Sequence, residues 1–223
     1  TLKANQIVVG MAFNLFGAGF SATLNKLIFG ISFDYNASDY FEPVYIKGLS
    51  DIPFFGTAFF SHMSVVYIAL ALVPVISFFL KKTEIGLNLR AVGENPKVAD
   101  TLGVDVYRYQ YATSIIGCGL MGTGGAFLST GLLHFFSEDM VSGRGYIAIA
   151  AVIFGRYTPL GVLVASLTFM AGNVVANILQ TTNEAIPYNF LVMIPYLLTI
   201  LVLMLFAGKT RAPMSLGKVY YKG

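Results

Sequence analysis

Apolar runs of membrane-crossing length alternate with short polar connections along most of the chain. Residues 58–80, 111–133 and 189–207 contain no Lys, Arg, Asp or Glu. Each supplies the roughly 20 residues that cross about 30 Å of hydrocarbon at about 1.5 Å per residue. Residues 159–179 are also uncharged but carry Asn173 and Asn177, and residues 7–29 hold Asn14, Asn25 and Lys26 in an apolar frame. The pattern therefore predicts five transmembrane helices. Between Arg144 and Arg156 lies a further apolar stretch, residues 145–155, which at about 1.5 Å per residue reaches only half-way across. It reads either as a half-length or re-entrant helix, covered at its ends by protein, or as a full helix that borrows residues 139–143. The predicted fold class is an all-α polytopic membrane protein of about five transmembrane helices plus this half-length segment.

Composition agrees. The 223 residues are 56% hydrophobic and 11% charged, with a mean hydropathy of +0.72, whereas soluble domains run at about 45–50% apolar and about 25% charged. That balance argues against a soluble enzyme and against a disordered chain. Cys118 is the single cysteine, so neither an internal disulfide nor a zinc cluster can be built. The net charge of +3 is spread through connections instead of forming one basic stripe, which removes nucleic acid as a partner and leaves the charges to report topology. Lys81, Lys82, Arg90, Lys97 and Arg108 fall in the loop 81–110, and Lys209, Arg211, Lys218 and Lys222 in the tail 208–223. Both are expected on the cytoplasmic side. The acidic loop 30–57 is expected outside, with the lipid bilayer between them. The opening Thr1-Leu2-Lys3 has neither an initiator Met nor a signal-peptide pattern, so the chain is expected to begin inside a longer protein.

Two polar stripes could carry function. Gly10, Asn14, Gly17, Ser21 and Asn25 share one face of the first span, and Ser166, Asn173, Asn177 and Gln180 one face of a later span. Amides are costly against lipid, so both stripes should face protein or a water path. Asn14, Ser21, Asn173 and Asn177 are the candidates for touching a polar solute; interhelical hydrogen bonding is the other use for them. Gly117, Gly119, Gly122, Gly124 and Gly125 are expected to allow close helix packing. No catalytic set is recognisable. Residues 206–210 end like a phosphate-binding loop, but Leu203 stands where the first Gly is needed. His62 and His134 near span ends lack the companions that a metal site or a triad requires.

The cytoplasmic loop is the most informative segment. Asn95 can cap a helix whose first position is Pro96, and Gly103 can end it after Leu102. Val98, Leu102 and Val104 can then form an apolar knob suited to a groove on a soluble partner, or the helix is a plain connection.

Residues 86–104, GLNLRAVGENPKVADTLGV, resemble the permease subunits of ABC importers for ribose-type sugars, nucleosides and branched-chain amino acids. Residues 143–161, GRGYIAIAAVIFGRYTPLG, resemble most closely the simple sugar and nucleoside subgroup that works with basic-membrane-protein-type receptor lipoproteins. Residues 5–14 and 211–217 resemble that subgroup too. The resemblance implies one permease domain over 1–223, incomplete because the family's N-terminal spans are missing. It implies that the loop 81–110 couples to an ATPase subunit through Arg90, Ala91, Gly93, Glu94, Asn95, Ala99 and Gly103, with Gly93 and Ala99 on a tightly packed docking surface. Val98 departs from the pattern, which more usually has Ala there. Further implied are a second, homologous permease, an extracytoplasmic substrate-binding lipoprotein and a bacterial-type plasma membrane. ATP and Mg are expected on the partner ATPase, with no cofactor in this chain. The expected function is a translocation path for nucleosides, ahead of simple sugars. An ion-coupled secondary carrier is the rival, although every Asp and Glu maps to a loop; a non-transporting membrane scaffold is another.

Overall fold

The computed structural model describes residues 6–30, 61–138, 140–182 and 212–221, with Met193, Leu197, Ile200 and Met204 as isolated helical positions. The elements in order are α1 (Gln6–Phe29), α2 (Ser64–Lys82), α3 (Glu84–Glu94), α4 (Pro96–Thr101), α5 (Val106–Phe127), α6 (Arg144–Phe154) and α7 (Pro159–Thr182). A π-helical stretch, Leu128–Leu133, continues α5. No strand occurs as an element among the described residues. Among the described residues, four helices are long and apolar enough to cross a membrane: Val8–Phe29, Ser64–Lys82, Val106–Leu133 and Pro159–Leu179. The span expected at 189–207 lies outside the described residues apart from the four isolated positions, as does most of the loop 30–57.

Two span boundaries differ from expectation. α2 starts at Ser64 and not at residue 58, because the chain before it turns: Val66 N–H reaches Met63 O at 3.0 Å, and His62 N–H reaches the Tyr67 hydroxyl at 3.3 Å. It ends with Lys81 and Lys82, cations placed where the helix dipole is negative. α5 starts five residues before 111. The Asp105 carboxylate caps it by accepting from Arg108 N–H at 3.2 Å and pairs with the Arg108 side chain at 2.9 Å. A charge in the first turn does not stop a helix that has not yet entered hydrocarbon.

The chain divides into two compact units, one of Thr1–Ala71, Leu87–Ser142 and Ser215–Gly223, the other of Leu72–Gly86 and Gly143–Met214. In the second unit α6 packs along α7. Ala151, Ala165 and Phe169 are buried, with Ile147, Ala150 and Phe154 against them and the Phe154 and Phe169 rings 5.8 Å apart. Small residues at Ala151 and Ala165 let the helices approach closely. The turn between them is tight. Arg156 and Tyr157 both take positive φ, at 52° and 55°, and Thr158 closes the turn by donating its hydroxyl to Gly155 O at 2.7 Å and accepting from Gly161 N–H at 3.2 Å. A Cβ on Gly161 would land on the Gly155 carbonyl oxygen, and one on Gly155 on the Val162 amide nitrogen. The structure also decides the half-length segment. α6 is confined to Arg144–Phe154, and residues 140–143 turn, with Gly143 at φ 73°. At about 1.5 Å per residue it is a helix about 16 Å long.

In the first unit the long helices present apolar side chains outward. Phe13, Leu15 and Leu27 on α1, and Ile115 and Met121 on α5, are exposed. Their backbone polar groups are satisfied within the helices, as hydrocarbon demands, and hydroxyls fold back likewise, Thr23 onto Gly19 O at 2.8 Å and Thr113 onto Tyr109 O at 2.7 Å. The five α5 glycines meet nothing: a Cβ at Gly117, Gly119, Gly122, Gly124 or Gly125 would have no atom within 4 Å. The packing expected of them is therefore not made among the described residues. Lys26 at the end of α1 pairs with Glu138 at 2.7 Å, an exposed bridge of small energetic weight.

Candidate functional site

The loop 81–110 is a folded module. Its first helix, α3, was not foreseen. The Thr83 hydroxyl accepts from Gly86 N–H at 3.1 Å, a Thr cap on the third helical amide. α4 follows the sequence expectation closely. Asn95 sits in extended conformation with its side-chain oxygen accepting from Val98 N–H at 3.3 Å, Pro96 holds the first position, and Leu102 is the C-cap. Gly103 then takes φ 84°, which costs glycine little and other residues about 1–2 kcal/mol. Val104 N–H returns to Ala99 O at 3.0 Å and closes the helix end.

Val92 on α3, Ala99 on α4, Val106 on α5 and Tyr220 near the end of the chain form one buried cluster, with Val104, Tyr107 and Tyr109 packed against it. Asn88 donates from Nδ2 to the Tyr109 hydroxyl at 3.2 Å, tying α3 to the first turn of α5. Ser215 donates through its N–H to Gly93 O at 3.3 Å and through its hydroxyl to Gly93 O and Val92 O. The Tyr220 ring lies 5.6 Å from that of Tyr107. Burial first, then the neighbouring Asp100 carboxylate as acceptor and as charge, then Tyr107, push the Tyr220 pKa up to about 12.

This arrangement corrects one expectation. Ala99 is 2% exposed, so it supports α4 from beneath and does not lie on a docking surface. Its methyl faces Val92 and Val106 because a six-residue helix must bury one side to persist. Val98 and Leu102 are exposed and form the outward knob, while Val104 turns toward the cluster. Arg90, Ala91, Glu94, Asn95 and Gly103 are exposed and Gly93 is half-buried under Ser215.

The intramembrane candidates lie on α1 in the first unit and on α7 in the second. Asn14 and Ser21 are exposed on α1, and the Ser21 hydroxyl folds back onto Ala18 O at 3.0 Å. On α7, Asn173 is half-buried and donates to Phe169 O at 3.1 Å, and Asn177 is exposed. The buried face of α7 is Ala165, Phe169, Gly172 and Ala176, so the amide stripe lies one residue around the helix, beside the packed face. No group of three or more His, Cys, Asp or Glu that could hold a metal occurs among the described residues. Sequence reasoning missed Asn88, Ser215 and Tyr220, whose partners lie far along the chain.

Comparison with known proteins bears on this geometry. Residues 1–205 match the family described as branched-chain amino acid transport system / permease component. The guanosine ABC transporter permease protein NupQ of Bacillus subtilis is 37% identical over 229 residues, covering 100% of this chain and 71% of that protein. The nucleoside ABC transporter permease protein NupC of Lactococcus lactis is 36% identical, covering 99% and 70%. A putative glucose ABC transporter permease protein, TsgC13 of Haloferax volcanii, is 36% identical over 76% of this chain and 51% of its own. No solved structure matches. With its membrane-length helices and its match over residues 1–205, the chain belongs to the branched-chain amino acid transport system / permease component family and is a multi-pass membrane permease subunit of an ABC importer.

Proposed function

We propose that this subunit forms part of a path for nucleosides and is driven by an ATPase subunit that docks on α4. The observation that carries the docking half is the construction of α4: a capped helix seated on Ala99 with Val98 and Leu102 facing out. Such a helix transmits a push because it is fixed from below and apolar above. ATP and Mg then belong to the ATPase subunit, and its closure moves α4. The substrate half is supported by the names of the relatives, two of which are nucleoside or guanosine permeases, and by the chemistry of Asn14, Ser21, Asn173 and Asn177. Side-chain amides both donate and accept, which suits ribose hydroxyls and base edges. A second permease completes the path, and an extracytoplasmic lipoprotein delivers the solute. The bond of Ser215 to Gly93 supports placing the loop and the closing segment on one side, and the basic residues of both support a cytoplasmic assignment for it.

Reconstitution tests this. The full-length permease is placed in proteoliposomes with its sister permease, ATPase and lipoprotein, and offered labelled guanosine, glucose or leucine. Guanosine uptake that requires ATP and the lipoprotein is the expected result. Uptake independent of ATP would remove the importer mechanism, and glucose or leucine uptake without guanosine uptake would remove the nucleoside assignment.

A further inference from the structure

We propose that residues 215–221 act as a strap that sets the pose of α4, with Ser215 and Tyr220 as positioning residues for ATPase coupling; this rests on the docking role given to α4 above. α4 has six residues, too few to persist alone, because helix nucleation is unfavourable and short helices depend on tertiary packing. The strap supplies that packing in two places. At the end of α3, the last carbonyls lack intrahelical donors. Asn95 N–H takes Ala91 O at 2.9 Å, and Ser215 takes those of Val92 and Gly93. Ser215 therefore caps α3 where the chain turns into α4. Beneath α4, Tyr220 is 7% exposed and shares a core with Val92, Ala99 and Val106, one residue from each of the three helices of the loop. Tyr220 thus supports the coupling helix by packing in the cluster with Ala99, while Val98 and Leu102 stay exposed. The direction of the outward knob depends on a segment more than 110 residues away in sequence.

The test titrates the ATPase subunit into proteoliposomes holding the full-length permease, its sister and the lipoprotein, with labelled guanosine as probe. Two quantities are read: the ATPase concentration that half-saturates uptake, and the plateau rate. A positioning role predicts that Tyr220→Ala raises the half-saturating concentration about tenfold, equivalent to about 1.4 kcal/mol of docking free energy, with the plateau retained. Tyr220→Phe keeps the ring in the core and should stay close to native. An unchanged titration for Tyr220→Ala, or a lower plateau at unshifted half-saturation, would overturn the strap. Val98→Glu, on the exposed side, separates the two ideas. If it shifts the titration and Tyr220→Ala does not, the strap alone is wrong; if it shifts nothing, docking on α4 is wrong as well. Should Tyr220→Ala fail to assemble, hydrogen exchange on Ser215→Ala decides. Faster exchange at the amides of Ala99 and Leu102, with α7 unchanged, supports the strap, and native exchange there contradicts it.

Discussion

Ala99 and Val98 are neighbours with opposite environments, 2% and 52% exposed, and substitutions at the two positions should separate folding from docking. Ala99→Glu would place a carboxylate among Val92, Val106 and Tyr220, where an uncompensated buried charge costs about 3–5 kcal/mol. We expect it to unfold the loop module and expose it to limited proteolysis in detergent; a native digestion pattern would contradict the burial. Gly161 makes a different demand, since any Cβ there meets the Gly155 carbonyl. Gly161→Ala should cost about 1–3 kcal/mol, the usual price of overpacking, read as a lower melting temperature of the purified protein. Asn95→Ala removes the cap on Val98 N–H and should cost about 0.5–2 kcal/mol, with exchange at α4 amides accelerated and α7 unaffected. Native exchange at α4 would show that the cap bears no weight.

Among the elements, those with local causes were legible and those with distant ones were not. α4 could be read because Asn95, Pro96 and Gly103 each act on their own backbone within a few residues, and α6 because the apolar stretch between Arg144 and Arg156 is too short to make a full span. α3 was hidden: Asn88 and Arg90 interrupt its apolar positions, and the bond from Asn88 to Tyr109 that uses one of them spans 21 residues. The burial of Ala99 was also out of reach, because it depends on Tyr220. The stripes on α1 and α7 were correctly placed on helix faces, but periodicity does not say what covers a face; on α7 the packed side is the neighbouring one. Tyr220 makes the loop module sensitive to strong alkali. A free phenol loses its proton near 10.0, the buried one near 12. In the interval the unfolded segment binds fewer protons than the folded one, so stabilisation is intact below pH 10 and is lost as pH rises through about 12. Ultraviolet difference titration of native protein against Tyr220→Phe should show one phenol ionising near 12; ionisation at the ordinary value would deny its burial.

For the whole molecule, the pairing of Gly93 with Ser215 is a topological statement as well as a contact. Single cysteines at Val98 and Leu216, in a background with Cys118 replaced by Ser, should react with a membrane-impermeant maleimide from the same face of sealed vesicles. Labelling from opposite faces would be incompatible with that pairing. Among the described residues the membrane helices differ in burial: α7 packs a face against α6, whereas α2 has no buried residue and α1 none among its described side chains. The same pairing has a consequence in time. Chains are made from the N-terminus, and Gly93 waits 122 residues for Ser215, an interval in which α5, α6 and α7 are synthesised. Under the docking proposed above, a nascent or stalled permease would show the ATPase an unfinished coupler, and recruitment of the motor would report that translation has passed the last residue of the module.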